Sequence, residues 1–150
     1  MQRNAKMTTS KFSIELPGSQ ESLFDYLGDP RHRMDWQSSL IWLRLDDEEA
    51  EPAAGVGWTE KAQGFGEFKM QISEYIRPTR WAESGHSKKH SMSLALDFEP
   101  GKKPGHTRVS VTVNLNLSGI LKSVGWASKA LLQPLMSLDL KKAAQLAKKQ

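Results

Sequence analysis

Between Leu40 and Leu117 the chain carries six strand-like segments in a row, and from Gly119 onward the pattern changes to a helical one. The segments are Leu40 to Leu45, Val56 to Ala62, Phe65 to Ile76, Trp81 to Gly85, His90 to Phe98 and Thr107 to Leu117. Turn chemistry bounds each: an acidic loop (Asp46, Asp47, Glu48, Glu49, Glu51, Pro52), Gly64, Arg77-Pro78, the polar run Ser84 to Lys89, and Pro100-Gly101 through Gly105. This spacing describes an antiparallel meander of consecutive hairpins. The clearest alternations are Met92, Leu94, Leu96, Phe98 and Val109, Val111, Val113, Leu115, Leu117. Small or polar residues oppose them, so these strands have one wet face.

The flanks complete the order. Residues 1–10 are polar and aperiodic and read as a mobile lead-in, with a single domain over 11–150. Phe12, Ile14 and Leu16 alternate with Ser13 and Glu15 up to Pro17-Gly18, which predicts a first strand. Ser19 opens a short helix whose Leu23, Phe24 and Leu27 share a face, and Gly28-Asp29-Pro30 breaks it. Asp29 is placed to cap a second short helix, begun by Pro30 and running to about Trp36. After Gly119, the residues Leu121, Val124, Leu131, Leu132, Leu135, Leu138, Ala143 and Leu146 form an apolar stripe, expected to face the sheet. Pro134 is expected to kink or split this helix.

A twisted sheet with one apolar face must cover it, and the long C-terminal helix is the element large enough to do so. A curved sheet does not close fully on a helix lying across it. The apolar space left between them is the default binding site.

Composition narrows the class. The net charge of +4 is not spread evenly: Met1 to Leu121 holds 15 Lys and Arg against 16 Asp and Glu, while Lys122 to Gln150 holds six Lys against Asp139. The excess reads as the solvated face of one helix, and no nucleic-acid module accompanies it. With no cysteine, disulfides, thiolate metal sites and thiol nucleophiles are excluded, and the chain suits a reducing cytosol. No apolar segment is long enough to span a membrane, and residues 1–10 lack a signal-peptide core, so a cytoplasmic location is expected.

Several short stretches carry a family likeness in their order and spacing. They are Phe12-Ser-Ile-Glu-Leu-Pro17, Phe24, Leu27, Asp29-Pro30, Trp36, Gly55-Val-Gly57, Arg77-Pro78-Thr-Arg80-Trp81 and Gly105-His-Thr-Arg-Val109. Over about residues 11–149 the chain resembles the START-like or Bet v 1-like (SRPBCC) superfamily, especially its bacterial polyketide cyclase/dehydrase and lipid transport branch. The resemblance implies an α+β helix-grip fold: a seven-stranded curved antiparallel sheet around a long C-terminal helix, with two short helices after strand one. It also implies a cavity for a small hydrophobic ligand. It leaves the ligand open, because this fold hosts carriers, receptors and enzymes alike.

Candidate site residues follow from strand parity. His90 is in register with Met92 and is a candidate acid/base, or simply a strand-end histidine at the solvent boundary. Glu60 shares parity with Trp58, and Glu83 with Trp81. Turned inward, either carboxyl has a raised pKa and can donate a proton or bind a polar ligand head. The expectation is the other one, that bulges or edges turn both outward to pair with Lys61, Lys69 or Arg80. Trp36, Trp58, Phe68, Met70, Trp81, Met92, Leu94, Val111 and Trp126 are the candidate ligand-binding residues. His86 and His106 fall in turns and His32 on a short exposed helix, which gives no metal cluster, and no cofactor fingerprint is present.

Three functions fit these residues. The first is binding or transport of a lipid-like or polyketide-like molecule. The second is an aromatase/cyclase-like enzyme using Glu60, Glu83 or His90. The third is a binder of a macromolecular partner through the basic face of the last helix.

Overall fold

In the computed structural model, which describes residues 7–118 and 120–150 and, within 120–130, the backbone alone, seven strands form one antiparallel sheet. In chain order these are β1 (Met7–Pro17), β2 (Leu40–Leu45), β3 (Gly57–Ala62), β4 (Gly66–Ile76), β5 (Arg80–His86), β6 (Ser91–Pro100) and β7 (His106–Asn116). Helices α1 (Gln20–Leu27) and α2 (Arg33–Trp36) lie between β1 and β2, and α3 (Ile120–Ala147) follows β7. The strand order is β1-β7-β6-β5-β4-β3-β2: the hairpins of the meander stay adjacent, and β1 closes onto β7. This is the expected α+β architecture, and α3 packs against β1, α1 and α2.

Local chemistry explains the element ends. The Ser19 hydroxyl accepts from the Ser22 backbone N–H at 3.1 Å and caps α1. Asp29 accepts from the Arg31 N–H at 2.9 Å and starts a 3-10 turn over Pro30–His32 that runs directly into α2. β1 begins at Met7 instead of Lys11, so residues 7–10 belong to the sheet and pair with residues 113–116 of β7. Polar contacts hold them there, such as the Thr9 hydroxyl donating to Asn114 Oδ1 at 2.7 Å. An apolar period does not register a strand end of that kind.

The core lies between the inner face of the sheet and the helices. Leu16, Trp58, Met70, Ile72, Trp81, Leu96, Val109 and Val111 face it from the strands, and Leu23, Phe24, Leu27, Leu140, Ala143 and Ala144 from the helices. Gly85 opposes Met70 in the register, and a Cβ there would lie 2.0 Å from Met70 Sδ, so the glycine leaves room for the methionine to cross β5. α3 continues as one helix through Pro134. Its buried face matches the expected stripe in part: Ala143 is in the core and Leu132 and Leu146 pack against it, while the side chains of Leu121 and Val124 lie outside the described residues. Leu140, Ala143, Ala144 and Ala147 meet the core, whereas Leu131, Leu135 and Leu138 are 61%, 53% and 64% exposed. Ala143, Ala144 and Ala147, at i, i+1 and i+4, let the helix approach its neighbours closely, and Leu131, Leu135 and Leu138 fall on the opposite side.

Candidate functional site

Strand parity carries Glu60 and Glu83 inward, contrary to the expectation for both. The two irregularities put their extra residue on the neighbouring strand, between Leu40 and Trp42 on β2 and between Ile72 and Glu74 on β4, so β3 and β5 keep their own alternation. Glu60 sits between Leu43 and Phe68 of the neighbouring strands, Glu83 between Ile72 and Leu94, and they are 3% and 2% exposed. Of the three cations expected to hold them, Lys69 is engaged with Asp46 and Arg80 with Glu74 and Asp97, and Lys61 points to solvent.

The counter-charge comes from α2. Arg33, 1% exposed, donates from Nη2 to Glu83 Oε1 at 2.6 Å and from Nη1 to Glu83 Oε2 at 3.4 Å and to Gln37 Oε1 at 3.0 Å. Its guanidinium stands over three indoles, 5.2 Å from the Trp36 ring centre, 5.6 Å from Trp58 and 5.3 Å from Trp81. Trp36 lies three residues after Arg33 and so shares its helix face. Trp81 is fixed in turn by donating Nε1–H to the Gly28 carbonyl at 3.2 Å. A Cβ at Gly28 would lie 3.0 Å from Trp81 Cδ1, so the glycine permits this approach.

Burial works against the charge of Arg33, but the charge and hydrogen bonds of Glu83, with the charge of Glu60, hold its pKa above the ordinary value. Glu60 is held differently. It accepts from Trp58 Nε1 at 2.9 Å, and its pKa is pushed up by burial first and by the charge of Glu83 second, against the opposing effects of Arg33 and the Trp58 hydrogen bond. One buried cation thus serves two buried carboxyls. The centre is neutral when Glu60 keeps its proton. Two buried donors of the same cluster, Arg33 Nε and Trp36 Nε1, have no hydrogen-bond partner among the described residues. Each such orphan costs about 1–3 kcal/mol, so an acceptor brought to them is bound without displacing an internal bond.

The remaining candidates divide by packing. Phe68, Met70, Leu94 and Val111 are buried on the inner face of the sheet with Trp58 and Trp81 and form a closed wall, while Met92 is half-buried. Leu43, Leu115 and His90 are half-buried beside it, so the inner face is less tightly covered at the His90 end of β6. The His90 ring stacks on Phe68 at 6.5 Å, and its Nδ1 accepts from the Ser118 N–H at 3.1 Å, which leaves the ring proton of the neutral form on Nε2. His90 therefore joins the start of β6 to the segment entering α3. It does not meet Arg33, and the side chain of Trp126 lies outside the described residues. His32 is half-buried and stacks on Tyr26 at 4.3 Å. Among the described residues no group of His, Asp and Glu is arranged to hold a metal ion.

Arg33 and Gln37 are the residues that parity reasoning missed. Two inward carboxylates on neighbouring strands call for a cation from another layer, and a capped turn of helix carrying Arg33 in step with Trp36 is where one could have been sought. On the outer face, a cleft of about 200 Å³ lies among Asp46, Gly57, Lys69, Gln71, Ser84 and His86. Its lining is more polar than apolar, with Met70 the one aliphatic side chain in it.

Comparison with known proteins agrees with the fold. Residues 7–150 match the family described as polyketide cyclase / dehydrase and lipid transport. The chain belongs to that family. Solved structures similar to this polyketide cyclase / dehydrase and lipid transport domain include a conserved protein of Geobacillus kaustophilus, with 19% identity, TM-score 0.72 and coverage of 95% of this chain and 96% of that one. Ara h 8.0201 is 13% identical at TM-score 0.66, covering 97% and 100%. A point mutant of Thalictrum flavum norcoclaurine synthase, solved with a transition-state analogue, is 9% identical at TM-score 0.69, covering 98% and 99%. At these identities the structures share the fold. No curated protein sequence matches the chain. No helix among the described residues is long and apolar enough to cross a membrane.

Proposed function

We propose that this domain binds an amphipathic small molecule, lipid-like or polyketide-like, between the inner face of the sheet and α3. The apolar body lies against Phe68, Met92, Leu94 and the neighbouring half-buried side chains, and Trp58, Met70, Trp81 and Val111 form the wall behind it. The polar end meets the centre built from Arg33, Glu83, Glu60 and Trp36. One observation carries the reading: an otherwise apolar interior contains a buried ionic cluster with two unpartnered donors, and such a cluster favours a ligand that brings an acceptor.

Native mass spectrometry of protein purified from its host tests this. A retained apolar molecule, together with a change in tryptophan emission when a long-chain fatty acid is titrated in, is expected because three indoles surround Arg33. An empty protein whose emission ignores every amphiphile tried overturns it.

A second reading has one specific support, the raised pKa of Glu60 inside that interior. A buried carboxyl whose pKa is raised holds its proton more tightly than an exposed one and can pass it to a carbonyl oxygen of a bound polyketide-like substrate, as an aromatase/cyclase-like reaction needs. Turnover of a model poly-β-ketone that Glu60→Gln abolishes without loss of binding would establish it. Binding without turnover leaves the carrier reading.

A further inference from the structure

The outer face of α3 fits the chemistry of a membrane surface. Leu131, Leu135 and Leu138 lie on one side of the helix, opposite Leu140, Ala143, Ala144 and Ala147, and each leucine is more than half exposed. At 1.5 Å rise per residue the three form an apolar ridge about 10 Å long. The same 4-3-4-7 spacing continues to Lys142 and Lys149, both exposed, and Lys141 and Lys148 are exposed beside them. The sole acidic residue from 122 to 150, Asp139, does not offset them outward. It accepts from the Ser38 backbone N–H and hydroxyl, each at 3.3 Å. This contact also ties the end of α2, with its exposed Met34, to the side of α3.

We propose that this face docks the domain on an anionic lipid surface, the leucines entering the acyl boundary and the lysines resting among the headgroups. Two features select this occupant. A single helix lying on a sheet presents a convex ridge, which a fluid apolar layer accepts without a preformed groove. Four lysines of one sign complement anionic headgroups. A second copy fits less well, because pairing along this seam would place Lys142, Gln145 and Lys149 where a helix pair needs apolar residues. Docking rests on the exposed side of α3 and does not depend on what the interior holds.

Flotation with lipid vesicles tests it. At low salt the protein is expected to float with phosphatidylcholine vesicles containing about one-third phosphatidylserine, and not with phosphatidylcholine alone. Raising salt to about 0.5 M should release it. The triple variant Leu131→Ser, Leu135→Ser, Leu138→Ser should lose at least about tenfold in partitioning, and so should Lys142→Glu with Lys149→Glu. Both variants should keep the wild-type melting temperature, since the altered side chains are exposed. The proposal is overturned if the wild type stays with the aqueous phase at low salt, or if the serine variant floats as well as the wild type. It is also overturned if the wild type is a dimer that the serine substitutions dissolve while vesicles are ignored, for then the ridge belongs to a second copy.

Discussion

Two arginine–carboxylate pairs in this molecule are each joined by two hydrogen bonds and have opposite surroundings. Arg77 donates to Asp25 at 2.7 and 2.9 Å with both side chains half exposed, and Arg33 donates to Glu83 at 2.6 and 3.4 Å with both shut inside the core. In the first pair water already solvates both charges, so the bond adds little. In the second, each charge has lost its water and depends on the other, on Gln37 and on three indole faces. Geometry alone does not rank them; burial does. Placing such a pair in the interior is costly, which points to a role beyond holding the fold together.

The largest effect should come from leaving a buried charge alone. Arg33→Met strands Glu83 beside Glu60 and is expected to cost about 3–5 kcal/mol in urea unfolding. A loss no larger than that of the surface pair would break the contrast. Replacing both partners, Arg33→Met with Glu83→Leu, should recover most of that stability, because an apolar pair of similar volume needs no solvation. The recovered protein should still fail to hold an amphiphile in native mass spectrometry if the ionic centre reads the polar end.

Glu60 sharpens the comparison through pH. Its pKa in the folded protein lies above the ordinary 4.5, so the native state holds the proton more tightly than the unfolded chain does. The stability this contributes is fully present below the unfolded value and is lost as pH rises through the folded one. Glu60→Gln should therefore gain on the wild type as pH climbs from 4.5 through the raised value, by at most about 1.4 kcal/mol per pH unit, in melts run across that range. Parallel curves for the two proteins would show that Glu60 ionises as it does in water. The smallest effect belongs to Arg77→Ala, expected below about 1 kcal/mol and weaker still in high salt.

Period-two alternation made the sheet legible, and β2 to β7 begin and end within two residues of where turn chemistry placed them. The same signal failed where a strand is held by hydrogen bonds, as at residues 7–10, and where a helix packs through alanines while Leu131, Leu135 and Leu138 face out. Hydrophobicity measures transfer from water, and it does not register how close a backbone must come. The site was half legible. Parity aimed Glu60 and Glu83 inward, but nothing on their own strands could neutralise them, so an outward turn looked cheaper. Arg33 reaches them from a four-residue helix, and a tertiary partner of that kind has no period to betray it.

The seam between β1 and β7 has a consequence for how the chain assembles. All other neighbours in the sheet are joined by a hairpin, while Thr9 and Asn114, bonded across the seam, stand 105 residues apart. Contacts of that span close late, because their loop entropy is offset only once the local hairpins have shortened the effective loop. During synthesis β1 emerges first and waits for β7, and β7 in turn exposes a free edge until β1 arrives. The polar side chains of Thr8, Thr9 and Ser10 make that end of the waiting strand less sticky.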